Sequence, residues 1–107
     1  MSKKSISYKD KPWLKFYDKG VPSTINFVDC TLNDYFDEAI NKYADRVAFV
    51  SQGYEMTYRE LGDAVNKFAT CLADFGINKG DRVAIHLPNI LHCVAAYYAV
   101  IKIGGIV

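Results

Sequence analysis

The sequence predicts an α/β fold: a partial, largely parallel sheet with flanking helices. Short apolar runs at residues 47–50 (VAFV) and 83–87 (VAIHL) read as strands. Residues 31–45 and 58–75 carry apolar side chains in steps of three and four, the spacing of one helix face. Gly104-Gly105 followed by Ile106-Val107 reads as a helix end entering a further strand. Strands alternating with helices give a largely parallel sheet with right-handed crossovers.

The elements follow in order. Residues 1–30 show little periodicity and are punctuated by Pro12 and Pro22. They are expected to form an extended lead whose aromatic cluster of Trp13, Phe16 and Tyr17, with Leu14, packs onto the body. Residues 31–107 form the second unit, an incomplete α/β subdomain. Its first helix has Thr31 as N-cap, with Asp34 and Asp37 suiting the positive first turns. Its apolar face is Leu32, Tyr35, Phe36, Ala39, Ile40 and Tyr43.

The run at 47–50 is expected to be a buried strand. It returns through a tight Gln52-Gly53 turn into a second short strand at 54–56. Thr57 and Glu60 then make a T-x-x-E capping box, the hydroxyl accepting from the glutamate amide and the carboxylate from the threonine amide. In the helix that follows, Tyr58, Leu61, Val65, Phe68, Leu72 and Phe75 form the predicted core stripe, with Ala64 and Ala69 filling it. Gly62 allows close packing, and Gly76 stands where a left-handed residue ends a helix. Pro88 stops the strand at 83–87, and Asn89 is the expected cap of the last helix. That helix is apolar nearly all round, so it should be buried on more than one side, and Gly104 ends it.

Composition narrows the function classes. The chain has 107 residues, a net charge of +1 and 50% hydrophobic content, ordinary for a globular protein. The balance is uneven. Six lysines against Asp10 and Asp18 give residues 1–20 a charge of +4, so the remainder carries −3. A basic lead of this kind fits a solvated terminus or peripheral contact with an anionic membrane, and no face is basic enough for a nucleic-acid partner. Cys30, Cys71 and Cys93 are odd in number and form no CxxC pair, which points to reduced thiols and a cytoplasmic setting. Cys71 and Cys93 fall in apolar helical stretches and are expected to be small core residues. The N-terminus has no apolar stretch of a signal peptide. The most apolar run, residues 90–103, would reach roughly 21 Å as a helix. That falls short of a hydrocarbon core of about 30 Å, so no transmembrane span is expected.

A search for chemistry finds little. No glycine-rich phosphate loop is present. Residues 86–89, His86-Leu87-Pro88-Asn89, do lie where a strand's C-terminal end enters a helix, the edge at which open α/β sheets hold ligands. Without glycine there, a strand stop is the better reading than a nucleotide site. His86 and His92 fall on different elements and do not make a two-histidine metal site. No nucleophile, base and orienter stand together.

Larger motifs carry more. Residues 56–89, MTYRELGDAVNKFATCLADFGINKGDRVAIHLPN, and residues 96–107, AYYAVIKIGGIV, closely resemble the N-terminal region of the AMP-forming acyl-CoA synthetases. These belong to the adenylate-forming superfamily, with luciferases and nonribosomal peptide adenylation domains. The family's first motif, LTYxEL, corresponds to residues 56–61. Its second, LKAGxxxxP, corresponds to residues 101–107, with Ile103 for the usual alanine and the chain stopping before the proline. Residues 12–25, PWLKFYDKGVPSTI, are similar to the opening of the long- and medium-chain fatty-acid branch.

The resemblance implies the first part of the large N-terminal domain of a fatty acid–CoA ligase. Such an enzyme uses ATP and Mg²⁺ to convert a fatty acid into an acyl-adenylate, then transfers the acyl group to coenzyme A. The phosphate loop, ribose-binding aspartate, adenine pocket and catalytic lysine of the family lie beyond the matched stretch. No residue here is therefore carried over as a catalytic, cofactor-binding or metal site, and the segment alone is expected to be inactive. Thr57, Glu60, Leu61, Gly104 and Gly105 read as structural, and Lys102 as a last-turn lysine favoured by the helix dipole. A different class remains open: a self-associating interaction module, a homodimer that buries an unfinished sheet edge.

Overall fold

Residues 7–107 are described by a computed structural model of the chain. The body begins with helix α1, Leu32–Lys42. Thr31 caps it as expected and does more. Its hydroxyl accepts from the Asp34 amide at 3.2 Å, while the Asp34 carboxylate accepts from the Thr31 amide at 2.7 Å, a complete capping box. Strands β1, Val47–Ser51, and β2, Tyr54–Thr57, pair antiparallel. Gln52 (φ 49°) and Gly53 (φ 82°) turn between them in the left-handed region, the geometry of a two-residue hairpin. A bulge at Ala48 sets Phe49 opposite Met56.

Helix α2, Tyr58–Asp74, carries the Thr57/Glu60 capping box read from sequence. Helix α3, Leu91–Lys102, packs against both α2 and α1. Both α2 and α3 end on a left-handed glycine, Gly76 (φ 90°) and Gly104 (φ 78°). In each, two reversed hydrogen bonds close the last turn: Gly76 N–H to Ala73 O and Ile77 N–H to Leu72 O, then Gly104 N–H to Ile101 O and Gly105 N–H to Val100 O. A side chain at Gly105 would meet the Val100 side chain at 2.9 Å and the Val100 carbonyl at 3.1 Å, so close packing as well as turning requires glycine here.

The α/β class holds, but the parallel component is small. It is one bridge between Arg82 and Ile106, closed by Val83 N–H to Ile106 O and Ile106 N–H to Asp81 O, both 2.8 Å. Of residues 83–87, expected as a strand, only Val83 has a backbone hydrogen-bond partner, and 84–87 belong to no strand. A parallel strand needs a neighbouring strand to form, and only Ile106 lies alongside. For the same reason β1 is not buried on both faces. It has one partner strand and one packed face, and Val47 and Val50 stay exposed.

The core is Phe36, Met56, Leu61, Val65, Ala69, Ala95 and Ala99, with Val100 also buried. It keeps Leu61, Val65 and Ala69 of the predicted α2 stripe, with Leu72 packed against them, and loses Phe68 and Phe75. Leu61, Val65 and Ala69 form a line of four-residue steps facing α3, which pushes Phe68 to the rim and leaves Phe75 86% exposed. Gly62 is buried against Ile40, whose Cδ1 would lie 2.8 Å from an added Cβ. Small residues on α3 let α2 come close, and the Phe36 and Tyr98 rings stack with centroids 4.2 Å apart. Cys71, expected in the core, is exposed, and Cys93 is half-buried. Cys71 lies two residues beyond Ala69, on the far side of the helix.

The lead behaves differently from the expectation. Two single-turn 3-10 helices, Tyr8–Asp10 and Pro12–Phe16, replace extended chain, and residues 15–29 are exposed throughout. The aromatic cluster does not dock. Among the described residues, the backbone hydrogen bonds between 18 and 30 are short and local, and the lead meets the helices only at its end, where Cys30 lies beside Tyr35. The radius of gyration is accordingly 20.4 Å, against about 13 Å for a compact chain of this length.

Phe36→Ala removes one half of the ring stack and opens a core cavity. It should destabilise the chain by ~3 kcal/mol or more, read as a lower urea midpoint with little change in slope.

Candidate functional site

The sequence nominates few positions for chemistry. The strand-to-helix junction lies between α2, the extended residues 83–87 and the start of α3. His86, Leu87, Pro88 and Asn89 are all exposed there. Asn89 does not cap α3. A tight turn, Ile90 N–H to Pro88 O at 2.8 Å, places Ile90 at the N-cap, where no side chain accepts. Asn89 is one position too early to reach the first helical amides.

Two open clefts flank this junction. One, of about 480 Å³, lies between the hairpin and the start of α3 and is lined by Phe49, Gln52, Tyr54, Met56, Leu91 and His92. The other, of about 470 Å³, is almost wholly apolar and is lined by Ala64, Phe68, Leu87, Ile90, Ala95 and Ala96, with His92 at its rim. His92 thus borders both, with one edge in solvent as its sequence position implies. Neither cleft gathers a cation, a carboxylate pair or a glycine-rich turn. Among the described residues no three His, Cys, Asp or Glu side chains stand close enough to hold a metal ion. The residues present do not fit Mg²⁺ or a nucleotide's phosphates, and no chemical step is assigned to either.

Lys102 is the one cation with a tempting position. Its ammonium lies 3.2 Å from the Asp37 carboxylate, and Asn33 donates to the Ile101 carbonyl at 3.3 Å. Both contacts tie α1 to the C-terminal end of α3, where the dipole already favours a cation. This partnership spans 65 residues, and no local sequence signal could have disclosed it. A second ion pair, Arg59 with Asp45 at 2.8 Å, raises the guanidinium pKa above its ordinary value and braces the start of α2. A hydrogen bond with the Cys30 side chain pushes the Tyr35 hydroxyl up by favouring its neutral form.

The capping carboxylates are held below their ordinary range. For Asp34 the main cause is the hydrogen bond from the Thr31 hydroxyl, then the one from its amide. For Glu60 the Thr57 amide contributes most, then the hydroxyl. The pair of motifs most diagnostic in the sequence, residues 56–61 and 101–107, builds helix ends.

A helix, a hairpin, a long helix and a second helix returning to a parallel bridge define the N-terminal subdomain of an adenylate-forming enzyme. The Klebsiella oxytoca NpsA N-terminal subdomain superposes with a TM-score of 0.67 at 34% identity, covering 69% of this chain and 19% of that one. The anthranilate CoA ligase AuaEII shares the fold at a TM-score of 0.65 and 20% identity, over 68% of this chain and 14% of that one. The AMP-binding enzyme family matches residues 36–107, and the chain belongs to that family. A long-chain-fatty-acid–CoA ligase of Escherichia coli O6:H1 is 39% identical over 91% of the chain, and one of Bacillus subtilis 34% identical over 91%. The chain spans 18% and 17% of the length of these two curated relatives.

Thr57→Ala should lower stability by ~1 kcal/mol at neutral pH through loss of the cap. Folding lowers the Glu60 pKa, so its stabilisation is present above the unfolded carboxylate value of about 4 and lost as pH falls through the folded one. The gap in unfolding midpoint between wild type and Glu60→Gln should accordingly be present at pH 7 and close in acid.

Proposed function

We propose that these residues are part of a fatty acid–CoA ligase. The observation that carries the reading is the 39% identity to a long-chain-fatty-acid–CoA ligase, which runs through the lead as well as the body. The adenylation subdomain, at 34% identity, matches only 69% of the chain. In this reading a fatty-acid carboxylate attacks the α-phosphate of ATP, giving an acyl-adenylate and pyrophosphate. The thiol of coenzyme A then attacks the acyl carbon and releases AMP. Mg²⁺ supplies charge neutralisation at the phosphates. The unit from residue 31 to 107 contributes scaffold, joined to the lead at residues 1–30. None of its side chains, Lys102 included, touches the reacting atoms.

The test is fatty-acid-dependent ATP–pyrophosphate exchange. The full-length protein should support it with long-chain acids and then form acyl-CoA, whereas the 107-residue chain alone should give no exchange above background. Preference of the full-length protein for an aryl or amino acid would overturn the substrate, and exchange by the chain alone would overturn the scaffold role.

A second reading concerns partners. The apolar cleft beside Phe68 and Leu87 lies next to the unpaired backbone of residues 84–87, with Phe75 exposed on the same helix as Phe68. A second copy of the chain is the occupant we propose, adding its edge and covering the cleft. Light scattering should give twice the monomer mass at micromolar concentration, and a clean monomer would rule the homodimer out. Cytoplasmic placement and peripheral contact with a membrane complete the proposal. No helix among the described residues is long and apolar enough to cross a membrane.

A further inference from the structure

We draw no further inference here: the strongest candidate, the cleft between the β-hairpin and the start of α3 lined by Phe49, Tyr54, Met56, Leu91 and His92, lies open in a chain that spans 18% of the length of a curated relative, and nothing in the structure shows what covers it.

Discussion

Helix α3 lies against α2 along a strip of small side chains, and α1 closes over both through one pair of rings. Ala95, Ala96 and Ala99 let the two helix backbones approach, so that Val65 is fully enclosed between them. Phe36 then stacks on Tyr98 and roofs the junction. Remove the closeness of α2 and α3 and the rings have no floor. Remove the rings and the core cluster that holds Leu61 and Val65 loses its cover from α1. The capping boxes, the glycine-ended helices and the Lys102–Asp37 contact all serve to place these three helices within that distance of each other.

The same geometry explains what family membership means for this stretch of chain. Its most recognisable motifs sit at helix ends. Thr57 and Glu60 start α2 at one fixed residue, and Gly104 and Gly105 stop α3 at another. These are positions where backbone amides and carbonyls need particular partners or particular φ angles. A sequence under that constraint keeps its motif whether or not it touches a substrate. The helix ends account for the motif residues by themselves, and among the described residues the clefts at the junction hold no clustered charges.

Much of the body was legible in the sequence because it is set locally. The Thr57 box, the Gln52-Gly53 turn and the glycine stops depend on three to six neighbouring residues, and each is found where the pattern puts it. What failed depends on neighbours far along the chain. The steps of three and four along α2 admit two adjacent faces, and only the small residues of α3 select Leu61, Val65 and Ala69 over Phe68 and Phe75. Residues 83–87 have the composition of a strand, but strand pairing is a property of two segments. Asn89 has the chemistry of a cap, yet one tight turn at Pro88 puts it out of reach. The lead's rings read as core because they are apolar, and nothing in the lead itself could say that residues 31–107 do not cover them. For the candidate site, the turn at residues 86–89 ahead of α3 was readable from Pro88, whereas the Lys102 partner on α1 was not.

The Phe36–Tyr98 stack also has a meaning in time. Its second ring is synthesised roughly sixty residues after its first, and at about 5–20 residues per second that interval lasts some seconds. Throughout it, α1 and the apolar line of α2 exist without α3. Helix α2 can form early on its own caps, but its enclosing partner leaves the ribosome after it. The nascent body therefore passes through a state with its future core open to the cell, and the speed at which α3 arrives sets how long that state persists.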